Sequence, residues 1–246
     1  MKLIILGAGR GKRLNKITEK IPKILVKIEK FTLLEILIKT AIRNKIFSEI
    51  IVVAGYKKED IQQLIRKKKL KNVKVIYNPF YEIFGPLISL WLAFLFIDDD
   101  FVIINGDTLF SPEIFKKISR KKNVIQLFIS EKEKYMKDEM KVKIDRKGFL
   151  IKVHKDMTDI DANGVSLGIV VIKGDKNRKI IKESIEYLIN NPKYITTYWH
   201  ELLNHLTNKK HFIKTTTVDK NCWIEIDTER DLKKAKKFYE YLKQFI

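Results

Sequence analysis

Short apolar runs alternate with helix-periodic segments through the first half of the chain. Runs rich in β-branched residues predict buried strands, at residues 2–6, 49–55, 73–77 and 100–107. Apolar residues at helical spacing predict the helices between them, at residues 33–44, 59–69 and 87–97. Alternating strands and helices form parallel sheets that are covered on both faces. We therefore expect the α/β class, with a doubly wound, mostly parallel sheet that binds ligands at the carboxyl ends of its strands.

The second half has a different pattern. Strand-like runs follow one another without intervening helices, at residues 123–130, 140–144, 149–154 and 165–172, with a hairpin turn at 146–148. Helical spacing returns at residues 183–190, 199–208 and 231–244. Thr228 is the expected cap of the last helix, with Asp231 as its partner. We expect a single domain over residues 1–246, with a core of residues 1–120 and 216–246 and an appended smaller lid of residues 121–215.

The first strand leads directly into a basic, glycine-rich loop. Gly7-Ala8-Gly9-Arg10-Gly11 follows Leu6, Arg13 comes two residues later, and Pro22-Lys23 follows after a short gap. Glycines let several backbone N–H groups converge on one anion, and Arg13 and Lys23 add charges suited to phosphate. An ordinary strand–loop turn with solvated basic residues would account for such a loop equally well.

Two common phosphate loops are excluded by residue type. A Walker loop requires Ser or Thr directly after Gly11-Lys12, where this chain has Arg13. The dinucleotide fingerprint requires a third glycine at the position of Leu14. The loop is therefore of a different kind.

Two aspartates end strand-like runs elsewhere in the chain. Asp107 follows Asn105-Gly106, and Asp227 follows the run 223–226. A turn residue or a helix-capping acid would explain each of them alone. Magnesium phosphate sites use one or two carboxylates together with phosphate oxygens and water. The two aspartates and the basic loop fit that requirement together better than any of them does separately.

These residues resemble the motifs of the nucleotidyltransferase family that includes sugar-nucleotide enzymes. Leu6–Leu14 and Pro22-Lys23 resemble its L-A/G-A-G-x-G-x-R-L and P-K signature, with Gly7 where alanine is usual and Lys12 where a small hydroxyl residue is common. Asn105-Gly106-Asp107 resembles its metal-binding "GD" motif. Trp223–Leu232 resembles the W-x-E-I-D-T-x-x-D-L segment of the phosphocholine cytidylyltransferase branch, whose first aspartate binds the same metal.

The resemblance implies a Rossmann-like, nucleotide-diphospho-sugar transferase-like fold and Mg²⁺-dependent nucleotidyl transfer. It points to CTP as the nucleoside triphosphate and to phosphocholine or a comparable small phosphorylated acceptor, with a sugar 1-phosphate and UTP or dTTP as the runner-up. Catalytic roles fall on Arg13, Lys23, Asp107 and Asp227, the last two as metal ligands. The implied nucleotide-binding residues are Leu6, Gly7, Ala8, Gly9, Arg10, Gly11, Arg13, Lys23, Gly55, Asn78, Ser89, Asn105 and Gly106.

The acceptor is expected to bind within residues 121–215 and near the Trp223 segment. Tyr198, Trp199 and Trp223 could surround a quaternary ammonium as an aromatic box, with Glu225 beside it, although core packing explains these aromatic residues too. The branch often has asparagine near position 85, where this chain has Gly85-Pro86. The four histidines, at positions 154, 200, 205 and 211, lack zinc-site spacing and are expected to be structural or solvated.

Composition limits the other classes of function. The formal charge of +20 invites a nucleic-acid partner, but the lysines are spread over most helices and no nucleic-acid motif accompanies them, so we expect none. A single cysteine, Cys222, rules out an internal disulfide framework. No apolar run is as long as a membrane span, and we expect a cytoplasmic protein with no membrane partner. A homodimer is left open, as is a non-catalytic module that only binds nucleotide.

Overall fold

The computed structural model describes residues 1–14 and 16–245. Its strands are β1 Lys2–Gly7, β2 Lys27–Ile28, β3 Phe31–Thr32, β4 Glu49–Ala54, β5 Val73–Tyr77, β6 Phe101–Asn105, β7 Thr108–Phe110, β8 Val124–Ser130, β9 Lys141–Ile144, β10 Leu150–His154, β11 Gly164–Lys173, β12 Lys214–Thr217 and β13 Trp223–Glu225. Its α-helices are α1 Lys16–Lys20, α2 Leu33–Arg43, α3 Lys58–Lys67, α4 Pro86–Phe94, α5 Asp175–Ile189, α6 Glu201–Asn208 and α7 Glu229–Leu242.

One large sheet organises the fold. Its order is β10-β9-β11-β6-β1-β4-β5, and β8 adds to β11 and carries β12. Within the described residues this sheet has nine strands, of which only β10 and β11 oppose the direction of the other seven. The predicted mostly parallel sheet is therefore confirmed. Residues 121–215 extend the same sheet through β11, and their assignment as an acceptor-binding lid stays a prediction.

Helices cover both faces of the sheet, as doubly wound architecture requires. Alternate residues of β1 point to opposite faces: Leu3 and Ile5 join one hydrophobic cluster, and Ile4 joins the other. The first cluster is closed by buried residues of α2, α3 and α7, and the second by those of α4, α5 and α6. No helix in the part of the chain that the structure describes combines the length and apolarity needed to cross a membrane.

Some elements differ from the sequence prediction. Helix α5 begins at Asp175, eight residues before the predicted start, because its first turns are polar and carry no apolar stripe. Asp100 holds that end, accepting hydrogen bonds from the Gly174 amide at 2.7 Å and from Arg178 at 2.5 Å. Strand β12 is polar and was not predicted; its parallel pairing with β8 makes it a strand. The predicted cap of α7 is confirmed, since Thr228 and Asp231 form a reciprocal capping box.

Gly85 precedes helix α4, and it lies against the backbone that leads to α6. Its amide donates to the Ile195 carbonyl at 2.8 Å, and a Cβ built on it would lie 2.1 Å from the Thr197 carbonyl oxygen. Only glycine fits this close approach, which is the physical reason that asparagine is absent here.

We expect Gly85→Ala to lower the free energy of unfolding by about 2 kcal/mol or more, because two backbone segments must move apart. Urea denaturation followed by circular dichroism measures the change. Gly9→Ala is the matched control, since a Cβ at Gly9 meets no atom within 4 Å. Equal effects of the two substitutions would contradict the steric explanation.

Candidate active site

The carboxyl ends of β1 and β6 bring the glycine loop beside Asp107. Leu6 pairs with Asn105 across these two strands, so the residues that follow each strand leave the sheet together. Strand β13 pairs antiparallel with β7, and the Ile226 amide donates to the Asp107 carbonyl oxygen at 2.9 Å. This pairing places Glu225 and Asp227 next to Asp107. Carboxylate oxygens of the three residues all lie within 4.8 Å of one another.

Lys23 supplies the positive charge that faces this cluster. Its Nζ lies 2.7 Å from Asp107 Oδ2 and 2.6 Å from Asp227 Oδ1. Burial lowers the pKa of Lys23, but the two carboxylates outweigh burial, and the net shift of the pKa is upward. Gly11 has a φ of +77°, and a Cβ on it would lie 2.7 Å from the Lys23 side chain. The glycine therefore allows the loop to pack directly on the lysine stem.

Arg13 links the glycine loop to both halves of the site. Its guanidinium lies 2.6 Å from Asp227 Oδ2 and forms a second, shorter ion pair with Asp138. Burial lowers the pKa of Arg13, and the Asp227 charge, followed by Asp138, raises it by more. Asp138 was not predicted from the sequence. It lies in a lysine-rich segment between β8 and β9 that carries no motif.

The pKa of Glu225 reflects the concentration of negative charge in the cluster. Burial, followed by the charges of Asp107 and Asp227, raises the pKa of Glu225 to about 8. A divalent cation among the three carboxylates would reverse this effect, because positive charge favours their ionised forms. Carboxylate oxygens are the ligands that hard cations such as Mg²⁺ prefer, and the Lys23 ammonium already lies between two of them. The residues present therefore fit a magnesium ion.

Two adjoining cavities open at this edge of the sheet. One, of about 240 Å³, extends from the carboxylate cluster to Tyr198 and Trp199; the other, of about 330 Å³, lies over the glycine loop and Lys23. Their walls contain ten of the predicted nucleotide-binding residues, namely Leu6, Gly7, Ala8, Gly9, Gly11, Arg13, Lys23, Ser89, Asn105 and Gly106.

Three predicted nucleotide-binding residues lie outside both cavities. Arg10 lies over the Tyr56 ring, with its Cζ 5.5 Å from the ring centroid. Gly55 faces the Ala8 carbonyl oxygen, which would lie 2.6 Å from a Cβ on it. Asn78 is buried, and its side chain donates to Ser89 Oγ at 2.8 Å. Gly55 thus packs against the loop, the Arg10 side chain leaves the loop toward Tyr56, and Asn78 positions Ser89.

The aromatic residues do not form the expected box. Trp199 is 2% exposed; its Nε1 donates to Asn105 Oδ1 at 2.9 Å and its ring stacks on His200. Trp223 packs against the first hydrophobic cluster and does not line the cavity that Tyr198 and Trp199 line, so the structure does not bring these three rings together. Tyr198, Trp199 and Glu225 line the cavity.

A buried polar pair in the cavity wall was also missed. His200 Nε2 lies 3.1 Å from Ser166 Oγ, which accepts the Gly168 N–H at 3.0 Å. The β8–β11 register breaks between Ser166 and Val170, and such irregularities re-aim side chains. Burial, followed by the Lys155 charge, lowers the pKa of His200 to about 3, so the ring is neutral at neutral pH. Gly168 was the only feature of the local sequence that could have indicated an irregular strand at this pair.

Comparison with known proteins identifies the class. Residues 2–138 match the family described as Nucleotidyl transferase. The match spans more than half of the chain, so the protein belongs to the nucleotidyl transferase family, and the resemblance inferred from its motifs is confirmed.

Individual relatives agree with this assignment. A choline-phosphate cytidylyltransferase of Streptococcus pneumoniae is 32% identical over 120 residues, which are 49% of this chain and 51% of that protein. A bifunctional IPC transferase and DIPP synthase of Archaeoglobus fulgidus is 27% identical over 239 residues, which are 96% of this chain and 43% of that protein. The chain thus spans about half the length of these curated relatives. The structure of the inositol-1-phosphate CTP transferase from T. maritima shares the fold, with a TM-score of 0.84 at 20% identity, covering 100% of this chain and 97% of that one.

Neutral, buried His200 makes stability depend on pH in a defined direction. The folded-state pKa of about 3 lies below the ordinary value of 6.5. The stability that the neutral ring contributes is therefore complete above pH 6.5 and is lost as the pH falls toward 3. Because of His200, we expect the free energy of unfolding of the wild type to fall by about 2 kcal/mol when the pH is lowered from 7.5 to 5. Urea denaturation at the two pH values, with His200→Gln, measures this contribution.

His154→Gln is the matched control, because His154 is partly exposed and lies outside the cavity wall. The control should keep the wild-type pH dependence, whereas His200→Gln should flatten it. An unchanged slope in His200→Gln would show that the ring titrates normally.

Proposed function

We propose that this protein is a Mg²⁺-dependent nucleotidyltransferase that transfers CMP from CTP to a small phosphorylated alcohol and releases pyrophosphate. The observation that carries the proposal is the cluster of Asp107, Glu225 and Asp227, with Lys23 and Arg13 against it, where the glycine loop meets a deep cavity. A nucleotide on the loop and an acceptor in the cavity would then meet at the carboxylates.

The reaction needs positioning and charge stabilisation, with no covalent enzyme intermediate. An acceptor phosphate oxygen forms a bond to the α-phosphorus, and the bond from that phosphorus to the bridging oxygen of the β-phosphate breaks. Both electrons of the broken bond leave with pyrophosphate. Mg²⁺ held by Asp107 and Asp227 would neutralise phosphate charge and orient the triphosphate.

The basic residues have separate roles in this proposal. The amides of Gly9 and Gly11 and the Arg13 guanidinium bind the β- and γ-phosphates. Lys23 stabilises the charge on the α-phosphate as it becomes five-coordinate. Both cations contact carboxylates in the structure, so phosphate oxygens exchange with those acids as partners of the same cations.

The choice of CTP rests on similarity. The Trp223–Leu232 segment resembles that of the cytidylyltransferase branch. One sequence relative is named a choline-phosphate cytidylyltransferase, and one protein of the same fold is named an inositol-1-phosphate CTP transferase. Pyrophosphate release measured with each of the four NTPs, Mg²⁺ and a panel of phosphorylated acceptors tests the proposal. CTP should be preferred. Tight NTP binding without pyrophosphate release for any pair would favour a non-catalytic nucleotide-binding module.

Loss of either metal-binding aspartate should abolish most of the activity. We expect Asp107→Asn and Asp227→Asn each to lower turnover on the order of 100-fold, because a neutral amide binds Mg²⁺ and balances Lys23 poorly. Asp156→Asn is the matched control at an exposed aspartate outside the site. Near-wild-type turnover at saturating Mg²⁺ would make the substituted residue a turn or capping acid.

Arg13 and Lys23 should affect different kinetic constants. Arg13→Ala should chiefly raise the KM for CTP, because its contacts form on binding. Lys23→Ala should chiefly lower kcat, because its charge is used most in the transition state. Lys23→Arg keeps the charge beside the two acids and separates a folding defect from a catalytic one, and Lys20→Ala is an exposed control. Equal, small changes in both constants would identify solvated surface charges.

A further inference from the structure

The edge of the sheet opposite the candidate active site is formed by the amino ends of parallel strands. Strands β6, β1, β4 and β5 are neighbours in the sheet and run in one direction, so the segments that precede them meet at this edge. Three of these segments connect a helix to a strand: α2 to β4, α3 to β5 and α4 to β6. We call the surface formed by residues 42–48, 68–74 and 95–100 the basal surface.

Side-chain contacts join the three segments of the basal surface. Lys2 Nζ donates to the Phe96 carbonyl oxygen at 3.1 Å and lies 3.1 Å from Glu49 Oε2, so it bridges the approach to β6 and the start of β4. Lys74 Nζ, on β5, lies 3.8 Å from the centroid of the Phe96 ring. The segments therefore form one continuous surface.

Four apolar side chains are exposed on the basal surface. Ile42 is 52% exposed, Ile46 36%, Leu95 62% and Phe96 43%. Single exposed apolar residues are ordinary on a protein surface, whereas several on one continuous surface mark a site of interaction. The basal surface is therefore a candidate docking surface.

Unpaired lysines lie among these apolar residues. Lys45, Lys69, Lys71 and Lys74 are exposed, and none of them forms an ion pair with a carboxylate among the residues that the structure describes. Four exposed ammonium groups on one surface attract a partner that carries negative charge.

The carboxylates of the basal surface already have cationic partners. Glu49 and Asp98 both pair with Lys2. Asp99 pairs with the Met1 amino group, and Asp100 pairs with Arg178. These pairs leave one carboxylate in excess against the four unpaired lysines, so the basal surface carries a net positive charge.

Two of the lysines have a backbone conformation that glycine adopts more easily. Lys45 follows α2 with a φ of +52°, and Lys69 follows α3 with a φ of +51°. The residue just after a helix is often glycine when its φ is positive, because a Cβ disfavours that conformation. The chain therefore carries charge at two positions where the backbone alone would favour glycine.

We propose that the basal surface docks on a lipid bilayer that contains anionic phospholipids. Lysines attract anionic headgroups, and neighbouring aliphatic and aromatic side chains enter the interface between headgroups and acyl chains. A nucleic acid would use the lysines and could stack on Phe96, but it would gain little from Ile42, Ile46 and Leu95. The exposed aliphatic residues therefore favour the bilayer.

Docking in this orientation leaves the candidate active site open to water. Both cavities lie at the carboxyl ends of the strands, and the basal surface lies at the amino ends. The sequence led us to expect no membrane partner because no apolar run is long enough to span a bilayer. Docking on a membrane surface requires no such run.

Vesicle sedimentation with the full chain tests the proposal. Binding is measured to vesicles of phosphatidylcholine alone and of phosphatidylcholine mixed with phosphatidylglycerol, at low and high salt. The mixed vesicles should bind about tenfold more tightly or better, and added salt should weaken that binding.

Three variants examine the two kinds of contact. Lys45→Gly and Lys69→Gly should each weaken binding to the mixed vesicles about fivefold. Urea denaturation should show unchanged or higher stability for both, because glycine relieves the positive φ. Leu95→Ser should weaken binding by about tenfold without a change of charge.

Lys57→Gly is the matched control. Lys57 is exposed and has a φ of +46°, but it lies beyond the carboxyl end of β4, at the opposite edge of the sheet. This substitution makes the same change of charge and backbone freedom away from the basal surface, so it should leave vesicle binding unchanged.

Three results would overturn the proposal. The first is the absence of binding to the mixed vesicles at low salt. The second is an equal loss of binding in Lys57→Gly, which would show attraction by overall charge. The third is tighter binding to random duplex DNA than to the vesicles, unaffected by Leu95→Ser, which would assign a nucleic-acid partner. None of these results depends on pyrophosphate release, so the proposed transferase activity is tested separately.

Discussion

The site depends on one electrostatic constraint: three carboxylates converge at the end of the sheet. Asp107, Glu225 and Asp227 place like charges side by side, and burial together with the two aspartate charges raises the pKa of Glu225. The Lys23 ammonium between two of them offsets that repulsion. Lys23 reaches this position because Gly11 turns with a positive φ and leaves room for the lysine stem. The positive φ of Gly11 and the charge of Lys23 therefore act together to stabilise the carboxylate cluster.

The same cations connect parts of the chain that are far apart in sequence. Arg13 joins the first loop to Asp227, just before the last helix, and to Asp138 between β8 and β9. These ion pairs hold the glycine loop, the carboxylate cluster and the segment between β8 and β9 together. In the proposed reaction phosphate oxygens compete for the same guanidinium and ammonium, so the contacts that organise the site are also those that a bound nucleotide would replace.

The end of the cavity that we propose for the acceptor is held together by aromatic stacking and hydrogen bonds rather than by ion pairs. Trp199 donates to Asn105 and stacks on His200, so it fixes the segment before α6 against the end of β6. Its indole is a structural element in this position. The polar character of the cavity wall comes instead from Ser166, His200 and Lys155, and burial, followed by the Lys155 charge, keeps the His200 ring neutral.

Local pattern determined the parallel half of the sheet, the glycine loop, the two aspartates at strand ends and the Thr228–Asp231 cap, since each of these depends on residues close in sequence. The family assignment followed from the same motifs. Tertiary structure alone decided which side chains share the cavity. Asp138 lies 125 residues from Arg13, and His200 lies 34 residues from Ser166. Local pattern also does not show that Trp223 packs against the first hydrophobic cluster; the pairing of β13 with β7 brings Glu225, at the other end of the strand, to the carboxylate cluster.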